Sequence, residues 1–240
     1  MQSRIKRTLW ILVFIILTSA LSYGLGWSKL LALETVTITG TNQIKLIENQ
    51  LKAAESKLII GQPLARINPR TEENTIEDLE WIASADLSRN WWTGKVTVQV
   101  TPQIPVAVYT DVKGVDGAPR YLAKNGVEFS SPQTFSNLAK ISMISTGPKS
   151  KGERRAIGNF VANLSTEIVT GMTGLEIARN NVILMETNFR KPSLTITWGA
   201  RNSATDIEVK SVVLMGLLAL PENKKITEID LSIADSPIVK

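Results

Sequence analysis

Hydrophobic residues follow three patterns along the 240-residue chain: an uncharged run, helical spacing and strict alternation. The uncharged run occupies residues 8–28, TLWILVFIILTSALSYGLGWS. It is long enough for a helix that crosses the roughly 30 Å hydrocarbon core of a membrane. Trp10 near one end, and Tyr23 and Trp27 near the other, suit the aromatic belts of the two interfaces. The pattern predicts a transmembrane helix over 8–28.

Basic residues around this run predict its orientation. Arg4, Lys6 and Arg7 precede it, whereas Lys29 alone follows closely. Because cytoplasmic flanks of membrane helices carry an excess of Lys and Arg, residues 1–7 are expected to be a short cytoplasmic tail. The chain is thus predicted to be a single-pass type II protein of the cell membrane, with its main part extracytoplasmic.

A cleaved signal peptide is the alternative for the same run. Thr18-Ser19-Ala20 resembles the small-residue site at which signal peptides are cut. The apolar region continues beyond that site to Leu25, which favours the anchor. Both alternatives put the rest of the chain outside the cytoplasm.

Residues 33–102 show the order β-α-α-β-β. Three segments alternate apolar and polar residues as half-buried strands do, and two carry apolar residues at helical spacing. The predicted elements are a strand at 33–39 ended by Gly40, a helix from an Asn42 cap through Ala54, a short helix capped by Thr71, and strands at 81–87 and 96–100.

Beyond residue 103 the sequence turns to short strands and turns. Asn125-Gly126 between two apolar pairs predicts a tight hairpin over 121–129. Further strands are expected at 175–178, 182–186, 194–198, 226–233 and 238–239, with helices at 154–168 and 206–220. The predicted fold class is α+β: the membrane helix, a β-α-α-β-β domain, and a C-terminal antiparallel β-rich domain with two helices.

The net charge of +5 does not indicate nucleic-acid binding. Of the 27 basic residues, Arg4, Lys6 and Arg7 belong to the predicted cytoplasmic tail. The remaining 24 basic residues are offset by 22 acidic residues, which leaves a net charge of +2. The basic balance is therefore mostly a membrane-orientation signal, and neither a nucleic acid nor a small-molecule substrate is expected.

The chain contains no cysteine and no histidine, which excludes many kinds of catalytic and metal site. Disulfides, zinc thiolates, Ser-His-Asp triads and histidine metal ligands are all impossible. Paired carboxylates or a Ser–Lys dyad remain as catalytic options. No cofactor is expected.

Three groups of residues have both a functional and a structural interpretation. Trp91-Trp92 is either a stacking platform or, with greater weight, part of the core at a strand end. Ser142-Met143 resembles the Ser-Met of membrane-anchored signal peptidases, but no companion motif surrounds a lysine partner. The acidic residues Glu72, Glu73, Glu77, Asp78 and Glu80 are either a cation site or, with greater weight, a solvated helix face.

Four short motifs follow the anchor in a characteristic order: Val36-x-Ile38-x-Gly40, the segment 64–68, Arg89-x-Trp91-Trp92, and Pro105-Val106-Ala107. Over essentially its whole length the chain resembles the FtsQ/DivIB family of bacterial cell-division proteins. The family has an Arg-x-Trp-Pro turn, where Trp92 replaces the proline. It also has a Glu-Arg pair before its Pro-Val-Ala, where Pro102 and Gln103 stand here.

The resemblance implies a POTRA domain over 33–102 and an FtsQ-type β-rich domain over 103–240. It further implies a non-enzymatic bitopic scaffold at the division septum, which recruits partners of the FtsB/FtsL type that regulate septal peptidoglycan synthesis. A membrane-anchored Ser–Lys peptidase is the main alternative. A POTRA-type export factor is another, although such proteins usually carry tandem POTRA repeats or a membrane barrel.

The C-terminal segment is the predicted partner-binding site. Residues 226–233 alternate as a strand with one buried face, and Asp235-Ser236 can turn the chain so that 238–239 pairs beside it. In the resembled family, the FtsB partner adds a strand near this region. The predicted partner-binding residues are Ile229, Leu231, Ile233, Ile238 and Val239. The alternative is that 238–239 merely completes the core sheet.

Overall fold

The structure is a computed structural model that describes residues 2–27, 31–114, 117–142, 150–189, 191–200 and 202–240. The chain divides into two compact units, Met1–Pro102 and Gln103–Lys240. The described residues form three sheets together with several helices. The α+β class predicted from the sequence is therefore confirmed.

The first helix, α1, spans Gln2–Trp27 and contains most of the uncharged run 8–28. Ser28, the last residue of the predicted transmembrane segment, lies outside the described residues. Large apolar side chains of α1, including Trp10, Phe14 and Leu17, are exposed. In the part of the chain that the structure describes, no helix has both the length and the hydropathy of a membrane-spanning segment.

The first unit contains the predicted β-α-α-β-β arrangement. Its elements are β1 (Thr35–Thr39), α2 (Ile44–Ala53), α3 (Pro69–Glu77), β2 (Ile82–Asn90) and β3 (Lys95–Pro102). The sheet order is β1-β3-β2, with β1 parallel and β2 antiparallel to β3. The alternation in β3 buries Val96, Val98 and Val100, because successive strand residues face opposite sides of the sheet.

Both predicted helix caps in this unit are wrong by a few residues. Helix α2 starts after Gln43, and no side chain caps it. Helix α3 is capped by Asn68, whose Oδ1 accepts a hydrogen bond from the Arg70 amide, and not by Thr71. Pro69 explains the shift: its fixed φ suits the first helical position, so the helix begins three residues earlier than predicted.

Gly40 ends β1 with φ of +90°, a left-handed conformation that favours glycine. A Cβ atom at this position would collide with the carbonyl oxygen of Val100 on β3. The turn after β1 therefore needs glycine for its backbone angle and also for its close approach to the neighbouring strand.

The second unit contains a four-stranded sheet of β4 (Pro105–Lys113), β5 (Pro119–Ala123), β6 (Glu128–Ser130) and β7 (Ala139–Ile141). Its order is β6-β5-β4-β7. The hairpin predicted at Asn125-Gly126 is confirmed, since β5 and β6 pair antiparallel and Gly126 has φ of +81°.

A five-stranded sheet completes this unit. Its strands are β8 (Met172–Ile177), β9 (Ile183–Thr187), β10 (Leu194–Gly199), β11 (Glu228–Asp230) and β12 (Ile238–Val239), in the order β12-β11-β10-β9-β8. Two strand pairs, β4–β7 and β10–β11, are parallel. The prediction of an antiparallel domain is therefore wrong for these pairs, because long connections return the chain in the same direction.

Within the described part of this unit, three α-helices and not the predicted two accompany these sheets: α4 (Lys151–Ala162), α5 (Thr166–Gly171) and α6 (Ala204–Ala219). The helix predicted at 154–168 is divided because Ser165 starts a new helix. Its hydroxyl oxygen accepts from the Ile168 amide, which gives α5 its own N-cap.

A single hydrophobic cluster is shared by the sheets and helices of the second unit. Trp198 on β10 and Phe160 on α4 are fully buried within it, with ring centroids 5.2 Å apart in an edge-to-face arrangement. Leu214 from α6 and Ile229 from β11 belong to the same cluster. The core therefore fixes β11, the strand on which the C-terminal edge is built.

Candidate functional site

The five predicted partner-binding residues divide into buried and exposed groups. Ile229 and Leu231 are buried in the core of the second unit. Ile233, Ile238 and Val239 are exposed. The side chains available at this surface are therefore those of the last three residues, while Ile229 and Leu231 hold the strand beneath them.

Strand β12 lies at the edge of the five-stranded sheet and pairs antiparallel with β11. Lys240 donates its amide to the Glu228 carbonyl at 3.0 Å and accepts from the Glu228 amide at 3.2 Å. Because hydrogen-bonded and non-hydrogen-bonded pairs alternate, Val239 opposite Ile229 is a non-hydrogen-bonded pair. The amide and carbonyl of Val239 therefore point away from β11, towards the outer edge.

The turn between β11 and β12 packs close to the start of α6. A cavity of about 630 Å³ lies between them, lined by Asp206 and Val209 of α6 and by Ile233 and Asp235 of the turn, among others. Lys210 also lines it, although it is buried, and its Nζ donates to the Trp198 carbonyl at 2.5 Å. Lysine is rarely buried without a partner, and sequence alternation alone gave no signal for this contact.

The edge of β2 in the first unit is closed by two glutamates of α3. The Glu73 carboxylate accepts from the Leu87 amide at 2.8 Å, and the Glu77 carboxylate accepts from the Ala85 amide at 2.9 Å. Positions four apart on a helix are about 6 Å apart along its axis, close to the roughly 6.6 Å between alternate strand residues. The two spacings match, so consecutive outward amides of β2 each meet one carboxylate.

Glu72 of the same helix is buried, so the interpretation of the acidic group as a solvated face is wrong for this residue. Its carboxylate accepts from the Ser56 hydroxyl at 2.5 Å and from the Lys57 amide at 3.2 Å. These bonds tie α3 to the loop after α2. Among the described residues, no group of three or more acidic side chains is placed to hold a metal ion.

Strand β1 forms the other edge of the first sheet and borders a groove of about 890 Å³. Helix α2 contributes Ile44, Glu48 and Leu51 to its lining, and Ile59 and Ile60 of the following loop line it as well. The two edges of this sheet thus differ, since β2 is capped by carboxylates and β1 faces a groove.

Comparison with protein families matches residues 31–102 to the POTRA domain, FtsQ-type. This segment is an FtsQ-type POTRA domain. The domain is the hallmark of the FtsQ/DivIB family, so the resemblance stated from the sequence motifs is confirmed. It indicates a role in cell division, with a membrane or septal location and divisome partners. Comparison with curated proteins finds no match.

The POTRA domain carries the two tryptophans on the turn between β2 and β3. Trp91 lies against the guanidinium of Arg89, which is 5.0 Å from the ring centroid. The same guanidinium donates to the carbonyls of Leu64 and Ile67, at 3.1 and 2.7 Å. Trp92 is 95 % exposed and Trp91 is 37 % exposed, so the interpretation of this pair as core residues is wrong.

Ser142 is the residue on which the peptidase alternative rests. Its hydroxyl donates a hydrogen bond to the Asp111 carboxylate at 2.5 Å. In a Ser–Lys dyad the serine proton passes instead to a neutral lysine amine. Met143, the second residue of that motif, lies outside the described residues. Proteins with an FtsQ-type POTRA domain are generally non-enzymatic.

Tyr109 on β4 is the one group for which a shifted pKa is resolved among the described residues. Burial raises its pKa well above the ordinary value, and the hydrogen bond to Glu128 raises it further. The phenol donates to the Glu128 carboxylate at 2.7 Å, and Arg154 lies 3.8 Å from the same carboxylate. This polar cluster joins β4, β6 and α4 and has a structural role.

Proposed function

We propose that this protein is a non-enzymatic bitopic scaffold of the bacterial divisome. The FtsQ-type POTRA domain at 31–102 is the observation that carries the proposal. The scaffold recruits and regulates membrane partners of the FtsB/FtsL type during septal peptidoglycan synthesis. It consists of a cytoplasmic tail at 1–7, an anchor at 8–28, the POTRA domain at 33–102 and an FtsQ-type β-rich domain at 103–240.

The proposed partner contact is strand addition to the outer edge of β12. An extended segment that pairs with an edge strand gains affinity from main-chain hydrogen bonds and specificity from alternate side chains. The outward amide and carbonyl of Val239 supply the main-chain groups, and Ile233 and Ile238 supply exposed apolar side chains. Ile229 and Leu231 contribute indirectly, because their burial fixes β11.

A Val239→Pro variant tests this contact in the full-length protein in detergent. Proline removes the outward amide but leaves the bonds between Lys240 and Glu228, because Val239 does not bond β11. We expect binding of an FtsB-type extracytoplasmic segment to weaken at least about tenfold, or about 1.4 kcal/mol. Thermal unfolding should stay close to that of the unmodified protein.

Val239→Ala is the matched control, since it keeps the amide and shortens only the side chain. It should retain most of the binding. Binding that is intact in Val239→Pro would contradict contact at β12 and direct the search to the groove beside β1. Loss of binding together with a large drop in the melting temperature would favour the alternative that β12 only completes the sheet.

The proposed membrane topology rests on the uncharged run 8–28 and on the three basic residues before it. The absence of native cysteine allows single labelling sites. Ser3→Cys should resist an impermeant maleimide in intact cells. Thr101→Cys, at the exposed end of β3, should react once any outer barrier is permeabilised. The reverse labelling pattern would contradict the topology.

A further inference from the structure

Two loops of the POTRA domain expose large apolar side chains. Trp92, on the turn between β2 and β3, is 95 % exposed. Ile60 and Ile59, on the loop after α2, are 71 % and 58 % exposed. Isolated exposed apolar residues are common on soluble proteins, but these three flank one short segment of the chain. Trp92, Ile59 and Ile60 form the two-loop patch.

Backbone hydrogen bonds hold the two loops on opposite sides of residues 33–34. Leu33 donates to the Gln62 carbonyl and accepts from the Gly61 amide, both at 2.8 Å. Glu34 donates to the Gly94 carbonyl at 2.8 Å on the other side. Two strand spacings, about 10 Å in total, therefore separate the loop backbones.

The turn that carries Trp92 is fixed by its own side chains. Asn90 Oδ1 accepts from the Trp92 and Thr93 amides, at 3.0 and 3.2 Å. Arg89 ties the start of the turn to the Leu64 and Ile67 carbonyls. The exposed indole is therefore presented from a rigid turn, and its exposure does not depend on a loose loop.

The segment that the two-loop patch flanks, residues 33–34, follows the end of α1 by only a few residues. Helix α1 ends at Trp27. From Leu33 onward the backbone is hydrogen-bonded to the rest of the POTRA domain. The four Cα steps from Trp27 to Leu31 span at most about 14 Å. A headgroup layer is about 6 Å thick on each side of the hydrocarbon core, so the start of the domain is within reach of the membrane interface.

We propose that the two-loop patch is a membrane-contact surface that inserts Trp92, Ile59 and Ile60 into the interface of the lipid bilayer. The inference rests on the proposed anchor at 8–28. Indole rings favour the headgroup level because they join an apolar body to a polar N–H, and aliphatic side chains reach deeper. The contact would fix the tilt of the POTRA domain at the membrane surface.

Site-specific fluorescence in proteoliposomes tests the proposal with the full-length chain. Trp92→Cys and Ile60→Cys each carry an environment-sensitive dye, and the bilayer contains phosphatidylcholine with a spin label on its headgroup. Both dyes should lose intensity when the spin-labelled lipid is included, and their emission should shift to shorter wavelength. Both residues are exposed, so the substitutions leave the core intact.

Thr101→Cys is the matched control, because it is exposed at the other end of β3, about 20 Å from the turn. Its dye should be unaffected by the spin-labelled lipid. Ser19→Cys within α1 reports on the anchor itself, in a second set of vesicles whose phosphatidylcholine carries the spin label on its acyl chain, because residue 19 lies near the middle of the proposed membrane segment. If the dye at 19 is quenched but the dyes at 60 and 92 are not, the membrane contact is wrong while the anchor stands. The two-loop patch would then be assigned to a protein partner. An unquenched dye at 19 would overturn the anchor and this inference together.

Discussion

Two sheet edges of this protein differ in whether their outward backbone amides are occupied. Strand β2 is nine residues long, and glutamates of its own domain occupy its outward amides at Ala85 and Leu87. Strand β12 is two residues long, and the amide of Val239 points outward from the sheet. The longer edge is thus closed and the shorter one is available.

This difference shows that strand length does not decide which edge keeps its outward backbone groups open. A long uncovered edge is an aggregation hazard, and proteins usually cover it or place charges on it. Here the charges come from a packed helix, at a spacing that matches the strand. A short edge carries little risk of unspecific pairing, so it can be left open and still gain specificity from its flanking side chains.

The largest expected effect on stability comes from disrupting the sheet that contains the closed edge, in the POTRA domain. Gly40→Val forces a side chain onto a left-handed backbone and against the Val100 carbonyl. We expect a loss of about 3 kcal/mol or more in the stability of this domain, from backbone strain and steric overlap together. Denaturant unfolding of the full-length protein measures the loss.

Partner binding at β12 should survive Gly40→Val, because that edge is built by the second unit. Gly216→Ala is the control, since nothing lies within 4 Å of a Cβ there. A Gly40→Val protein with unchanged unfolding would show that the turn tolerates a side chain. A stable variant that nevertheless loses the partner would place the contact in the POTRA domain.

Opening the closed edge directly has a smaller effect. Glu73→Ala leaves the buried Leu87 amide without its carboxylate, which should cost about 1–3 kcal/mol. Glu73→Gln keeps an oxygen acceptor and should lose less. The freed edge should also promote self-association, which sedimentation at several protein concentrations would detect. A Glu73→Ala protein with unchanged stability and unchanged sedimentation would show that the carboxylate does not protect the edge.

Alkaline pH should affect the two units differently. All three tyrosines lie outside 31–102, and Tyr109 in the second unit has a raised pKa. Because the folded-state value is raised, its stabilisation is complete below the unfolded value near 10 and declines as the pH rises above it. The decline is at most about 1.4 kcal/mol per pH unit. Tyr109→Phe should flatten the pH dependence of second-unit unfolding above pH 10, and an unchanged slope would contradict this assignment.

Local patterns were sufficient to predict most strands and the order of elements in the POTRA domain. The alternation in β3 and the Asn125-Gly126 turn involve neighbouring residues, so the sequence contains their full signal. The alternation at 229 and 231 correctly indicated one buried face. It could not show that these two side chains belong to the core and are not available to a partner.

Contacts between distant segments could not be predicted in the same way. Glu73 and Glu77 look like a solvated acidic face until β2 is placed against α3. The parallel pairing of β10 with β11 depends on how α6 returns the chain, which alternation does not encode. Trp92 is hydrophobic yet exposed, because Asn90 and Arg89 fix the turn that carries it.

The buried amine of Lys210 makes this lysine a chemical reporter of the second unit. Its Nζ is held against the Trp198 carbonyl beneath α6, so an acylating reagent in solution can reach it only when that contact opens. Exposed lysines such as Lys52 and Lys57 would react at once and serve as internal standards. The acylation rate of Lys210, read by mass spectrometry in living cells, would therefore count the opening events of the domain that carries β12.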